Sequence, residues 1–244
     1  MDITFSGDEV PSNESAIVIS NHGGLVDFYL VNALAIRKNM ISHCSYFAKN
    51  SVKYASTPCT MAGHAIHAYL CGMLMIKRNW LQDRQQIEAV FHRIRTWRPP
   101  VWVISFLEGT RLTPEKLSQA FLQSRGLPTL HNLLAPRTKG FCETVRQLRG
   151  THVKHVYDLT IAYWHCERGY GHPPSLLRMH THSMKGQYRF HVHARRYAIA
   201  DLPEDDRALT AWVHARFQEK DRLLEEWKAS WTVQREDVRR IPLE

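Results

Sequence analysis

A single α/β domain, its mostly parallel sheet covered by helices on both faces, is what these 244 residues predict. Compact apolar or β-branched runs (SAIVIS at 15–20, VWVISF at 101–106, VYDLTIAY at 156–163) recur along the chain, separated by longer amphipathic stretches. Runs that are apolar at nearly every position suit strands buried on both faces, the habit of parallel sheets under crossover helices. No linker rich in Pro, Gly or Ser interrupts the alternation, and the length fits one large domain. Residues 1–244 therefore read as one domain, with a core at about 15–200 and a C-terminal helix at about 205–231.

Ser15–Ser20 is the first buried strand, followed by a helix from about Val26 to Arg37 carrying Phe28, Leu30, Val31, Leu34 and Ala35. Cys44–Ala48 and Met73–Lys77 are short strands. Leu81–Arg98 is amphipathic through Leu81, Ile87, Val90, Phe91 and Ile94, and Pro99-Pro100 ends it. Val101–Phe106 follows as a buried strand. Pro114 then occupies the first turn of a helix running to about Arg125, where its missing N–H costs nothing. Leu130–Leu134 reads as a short strand, Lys139–Leu148 as a helix and Val156–Trp164 as a strand. After Gly169 comes a loop, then a late edge strand at Tyr188–Tyr197 with Arg189, His191, His193 and Arg195 on a solvated face. The long helix Asp205–Trp231 carries Arg216, Glu219, Lys220, Asp221 and Glu225 as charged surface. Trp97, Trp102, Trp164, Trp212 and Trp227 lie in apolar patterns and are expected in the core.

Apolar residues at 44% and charged residues at 23% exclude a disordered or collagen-like chain. Thirty-two Lys and Arg against 23 Asp and Glu give a net charge of +9, which suits an anionic partner. No nucleic-acid-binding motif or aromatic-interleaved basic run is present, so nucleic acid is not the expected partner. Cys44, Cys59, Cys71, Cys142 and Cys166 are odd in number and irregularly spaced, as in a protein of reduced thiols. The polar, acidic N-terminus is no signal peptide. The most apolar stretch, Ala65–Ile76, has 12 residues including His67. A bilayer span needs about 20, so this chain is not expected to cross a membrane.

Four strand exits carry polar groups, which is where α/β folds place their sites. His22-Gly-Gly-Leu-Val-Asp27 directly follows the first buried strand. On one continuous helix five residues advance about 500°, leaving His22 and Asp27 about 140° apart. Gly23-Gly24 lets the chain turn sharply, so that Asp27 in the first helical turn can orient the imidazole as a base. With 15 histidines in the chain such a pair also arises by chance, and alone it fits a strand-exit turn with a surface histidine. Phe106-Leu-Glu-Gly-Thr-Arg111 leaves the second strong strand, with Arg111 suited to a phosphate and Glu108 equally suited to a local ion pair. Gly72-Met-Leu-Met-Ile-Lys-Arg78 and Leu134-Ala-Pro-Arg-Thr-Lys-Gly140 end in cations. His180/His182 and His191/His193 could each place two imidazoles on one strand face. They lack a ligand set beside them, and no metal is expected.

These four blocks, in this order, resemble the glycerophospholipid acyltransferase family, the lysophosphatidic acid acyltransferases. NHxxxxD matches at Asn21, His22 and Asp27, and GxxxIxR at Gly72, Ile76 and Arg78. FPEGTR appears as FLEGTR, with Leu107 in place of proline, and the proline-centred fourth block matches at Leu134-Ala-Pro136. Further stretches (APRTKGF, VYDLTIAY and the tail RRYAIADLP…FQEKDRLLEEW) look like the eukaryotic 1-acylglycerol-3-phosphate and lysocardiolipin acyltransferases, over about residues 15–230. The resemblance implies transfer of a fatty acyl group from acyl-CoA to the free hydroxyl of a lysophospholipid at the endoplasmic reticulum or another endomembrane. 1-Acylglycerol-3-phosphate is the foremost acceptor, and lysophosphatidylinositol and monolysocardiolipin are alternatives. It implies His22 as general base and Asp27 as its orienter, with Glu108, Gly109, Thr110 and Arg111 holding the glycerol-phosphate. Arg78 would make a second phosphate contact and Pro136 would shape the wall near acyl-CoA. Acyl-CoA is then a co-substrate, with no metal or prosthetic group, and the cationic surface faces an anionic membrane. Thr60–Met75, apolar with few charges, is expected either against that membrane or buried on the sheet. A catalytically inactive membrane-binding module is the rival reading.

Overall fold

The structure, a computed structural model, describes residues 2–49, 74–76, 80–112 and 129–239. In chain order the elements are β1 (Ile3–Gly7), β2 (Ala16–Ser20), α1 (Val26–Arg37), β3 (Cys44–Lys49), β4 (Leu74–Ile76), α2 (Trp80–Trp97) and β5 (Trp102–Phe106). There follow α3 (Thr138–Leu148), β6 (His155–His165), β7 (Gly169–Tyr170), α4 (Leu176–Thr181), β8 (Tyr188–Ala198) and α5 (Asp206–Arg239). The strands form one sheet in the order β1-β8-β6-β2-β5-β3-β4, with β7 paired to β6. Every pairing is parallel except β6 with β8 and β6 with β7.

β2 explains why SAIVIS is apolar throughout. It lies between β5 and β6, parallel to both, and all five of its residues are buried. Ile17 and Ile19 face a core with Phe91, Phe141, Val145 and Phe217, built from α2, α3 and α5. Ala16 and Val18 face the opposite core, where α1 contributes Val26, Leu30, Val31 and Leu34. Strand alternation thus divides one short run between two helical layers. α5 lays Leu209, Val213, Phe217 and Leu224 into the first core at helical spacing.

The departures have identifiable causes. β8 is not an edge: β1 pairs along its outer side, Thr4 opposite His191 and Ser6 opposite His193. On the expected solvated face Arg189 and Arg195 are exposed, while His191 and His193 are half-buried, bonded to Thr4 and Ser6 with the Trp227 ring 4.5 Å from His191. β1 escapes the sequence reading because ITFSG is short and half polar. Leu130–Leu134 is an irregular loop, since side chains of α5 and Glu108 take its backbone N–H groups in place of a neighbouring strand. The loop after Gly169 contains β7 and the short helix α4, capped by Ser175, whose hydroxyl accepts the Arg178 N–H. His180 is helical and His182 follows the helix, so they do not share a strand face. Trp97 is 75% exposed, the last residue of its helix, whereas Trp102 is fully buried. Lys220 and Asp221 are buried. The expected helix at 114–125 and most of Thr60–Met75 lie outside the described residues. Among the described residues no helix is long and apolar enough to cross a membrane.

Candidate active site

The site grows from the carboxyl end of β2. Past Ser20, the Asn21 carboxamide continues the ladder to β6: it accepts the Ile161 N–H at 2.8 Å and donates to the Ile161 carbonyl at 2.9 Å. His22 is thereby launched from a fixed point. Gly23 and Gly24 then pass where a Cβ would fall 2.8 Å from the Tyr163 ring and 2.8 Å from Pro173, so neither position accommodates a side chain without displacing its neighbour. α1 opens immediately afterwards, and Asp27 sits in its first turn, where the helix dipole favours a carboxylate.

Asp27 is fully buried and its two oxygens collect three contacts. Oδ2 lies 2.8 Å from His22 Nδ1 and accepts the Gly24 N–H at 3.1 Å. Oδ1 accepts the Tyr163 hydroxyl. An ionised carboxylate only accepts, so Nδ1 carries the imidazole proton and Nε2 keeps its lone pair. The ring is clamped as well as bonded: it stacks on Phe106 at 4.5 Å and meets Phe28 edge-on at 6.0 Å. Asp27 is fully buried behind Nδ1 and the His22 side chain is 13% exposed, so Nε2 lies on the ring edge away from the carboxylate. Burial and the adjacent carboxylate push the Tyr163 hydroxyl well above the usual phenol range, so it stays a donor to Asp27.

The exit of β5 holds the backbone of His22 from the other side. Glu108, 2% exposed, accepts the His22 N–H at 2.9 Å on Oε1 and the Leu134 N–H at 3.1 Å on Oε2. The Leu112 N–H donates to the His22 carbonyl at 2.9 Å. Leu107 is buried and its carbonyl accepts the Arg137 N–H at 2.7 Å. Gly109 has φ +67°, and a Cβ there would press on the Arg137 side chain at 3.0 Å. Thr110 is half-buried, while Arg111 is exposed and lines a cavity of about 620 Å³ together with Gly23 and Gly24. Pro136 is buried two residues beyond Leu134.

The structure thus brings His22, Asp27, Glu108, Gly109, Thr110, Arg111 and Pro136 around one group of strand exits. Glu108, expected to help hold substrate, also braces the site, since each carboxyl oxygen accepts a backbone N–H from a different loop. Arg78 lies outside the described residues. Tyr163 and Asp221 belong to the arrangement and are not singled out by the sequence reading. Asp221 on α5 accepts from the N–H groups of His131 and Asn132, fixing the loop that offers the Leu134 N–H to Glu108. Among the described residues no cluster of His, Cys, Asp and Glu could hold a metal ion.

Burial pushes the Glu108 carboxyl up to about 8, with nearby Asp27 adding to the rise and the two N–H donors opposing it. The folded value lies above the ordinary 4.5, so the native state holds a proton that the unfolded chain releases. This contribution to stability is present below 4.5 and is lost as pH rises toward about 8. Urea midpoints measured across that window for the wild type and Glu108→Gln will show it. The wild-type advantage should shrink as pH rises, and a pH-independent difference would contradict the assignment.

Residues 2–164 match the model described as "Acyltransferase", and residues 184–244 match "Acyltransferase C-terminus". The chain is 31% identical over 232 residues to "Probable 1-acyl-sn-glycerol-3-phosphate acyltransferase 5" of Arabidopsis thaliana, covering 92% of this chain and 56% of that protein. It is 33% identical over 222 residues to the human "1-acyl-sn-glycerol-3-phosphate acyltransferase delta", covering 90% and 54%, and 34% identical over 217 residues to its mouse counterpart, covering 88% and 53%. The chain therefore spans little more than half the length of these relatives.

Proposed function

Since the chain belongs to the acyltransferase family, we propose that it moves a fatty acyl group from acyl-CoA to the free hydroxyl of 1-acylglycerol-3-phosphate, giving phosphatidic acid. The observation that carries this reading is the His22–Asp27 pair, which ties up Nδ1 and leaves Nε2 without that carboxylate, in the residue just before the glycines that line the cavity with Arg111. An alcohol is a poor nucleophile until a base takes its proton. Nε2 accepts the hydroxyl proton as the oxygen attacks the thioester carbonyl. The C–S bond then breaks, and the imidazolium returns the proton to the leaving CoA thiolate. Asp27 holds the imidazolium throughout, and no acyl-enzyme forms.

Arg111 binds the acceptor's phosphate through its planar fork, and Arg78 adds a second cation to that phosphate. Glu108 keeps the His22 backbone in place. The Leu134–Pro136 loop forms the wall on the acyl-CoA side. The net charge of +9 suits work at the anionic face of an endomembrane such as the endoplasmic reticulum.

Mass-spectrometric detection of phosphatidic acid from oleoyl-CoA and lysophosphatidic acid tests the reading, with lysophosphatidylinositol and monolysocardiolipin in parallel. Product from another acceptor alone would reassign the substrate. No product from any of them would leave a lipid-binding protein without transferase chemistry. Tyr163→Phe provides a finer check. It removes a donor from a buried carboxylate, a loss of about 1–3 kcal/mol in stability. It should lower kcat while leaving KM for lysophosphatidic acid unchanged, and a KM change alone would contradict the role of Tyr163 behind Asp27.

A further inference from the structure

The mouth of the cavity carries an apolar ridge that the acyl-transfer steps do not use. On α4, Leu177 is 74% exposed and Leu176 38%, and both line the cavity beside Arg111, Arg168 and Arg178. Leu25, in the turn after Gly24, and Tyr29, one turn into α1, are exposed as well. The ridge is one body, because the Tyr29 hydroxyl lies 3.2 Å from His180 Nε2 and the two rings meet at 5.8 Å. α4 is therefore braced on the same helix that holds Asp27. Arg178 itself is anchored at the rim, donating to the Gln187 carboxamide and lying over the Tyr188 ring at 5.9 Å.

Charge decides what this ridge meets. Between 165 and 189 the chain carries four Lys and Arg residues against a single acid, Glu167. A second copy of the same patch would set cation against cation across a two-fold interface. An anionic bilayer complements it: leucines enter the boundary between headgroups and acyl chains while arginines meet lipid phosphates. We propose that the α4 ridge is the surface by which this chain docks on an anionic phospholipid bilayer, with Leu176 and Leu177 inserted and the cavity mouth opening into the lipid. This rests on the lipid-acyltransferase reading for its purpose. A single-chain lipid would then pass from the bilayer to Arg111 and His22 without its acyl tail crossing water.

Flotation with phosphatidylcholine vesicles, with and without phosphatidylserine, tests the dock independently of catalysis. The wild type should float with the serine-lipid vesicles, less so at high salt. Leu176→Ser/Leu177→Ser should lower the partition coefficient by about tenfold or more, and Arg168→Gln should weaken binding only when phosphatidylserine is present. His22→Ala should float like the wild type. Both leucines are exposed, so the double variant should unfold at the wild-type temperature. Undiminished flotation of the double variant overturns the proposal. So does a wild-type dimer that the double variant converts to monomer without loss of flotation. Acyl transfer with unchanged flotation would sink the dock alone, whereas leucine-dependent flotation without transfer would sink the enzyme reading alone.

Discussion

His22→Ala should lower kcat for the proposed acyl transfer by about 10²- to 10⁴-fold, the usual worth of a positioned general base. Both KM values and the unfolding midpoint should stay near those of the wild type. The imidazole's hydrogen-bond partner is Asp27, which keeps the Gly24 N–H and the Tyr163 hydroxyl when the ring is gone. Asp27→Asn should cost about as much by a different route, because an orienter that no longer only accepts leaves the wrong imidazole tautomer facing the substrate. An amide also presents N–H to a site built from donors. The two residues act as a unit, so the double variant should be scarcely slower than either single one. Steady-state kinetics on the three proteins decides it, and additive losses would mean that Asp27 acts on something other than His22.

The second large effect is on stability. Lys220, 3% exposed, places Nζ 2.5 Å from Asp158 Oδ1 and donates to the Leu159 carbonyl at 2.6 Å. Burial pushes the Asp158 carboxyl up, and the Lys220 ammonium opposes it most, with Arg216 adding to the opposition. Lys220→Met strands that carboxylate in the core of the sheet, a loss of about 3–5 kcal/mol at neutral pH. In the variant the folded value of Asp158 rises further above its unfolded one. The extra loss should therefore be largest at neutral pH and fade as pH falls and Asp158 takes up a proton. Asp158→Leu/Lys220→Met should recover most of the stability, since an apolar pair replaces a buried ion pair at little cost. Urea unfolding across pH measures all three proteins. A loss for Lys220→Met that is the same at every pH would show that packing, not charge, is what Lys220 supplies. Because the neighbouring Asp221 holds the loop that meets Glu108, the same variant should also lose activity before it unfolds.

Much of this arrangement was legible in the sequence, and the legible parts share a physical reason. β2, β5 and β6 are buried on both faces, so their runs are apolar at nearly every position and stand out without any partner being known. His22 and Asp27 were readable because the glycines between them solve a geometric problem that spacing alone poses. Tyr163 was not, because its role depends on β6 lying beside β2, a pairing 140 residues away in the chain that no local pattern announces. Glu108 looked like a ligand for substrate because its strand-exit position is correct. Only the fold shows that its two oxygens face the N–H groups of His22 and Leu134. Lys220 and Asp221 did leave a signal: both fall on the helical stripe that Leu209, Val213, Phe217 and Leu224 define. The charged look of the surrounding helix masked it. β1 pairs with β8 through a short polar strand whose partner comes 187 residues later, and nothing in ITFSG distinguishes it from a loop.

In the proposed reaction His22 activates the acceptor's hydroxyl directly. Release of free CoA thiol from oleoyl-CoA, followed from the first turnover with and without lysophosphatidic acid, tests it most directly. Release should require the acceptor, show no burst without it, and disappear in His22→Ala. A burst of CoA on mixing the enzyme with oleoyl-CoA alone would reveal an acyl-enzyme and contradict it.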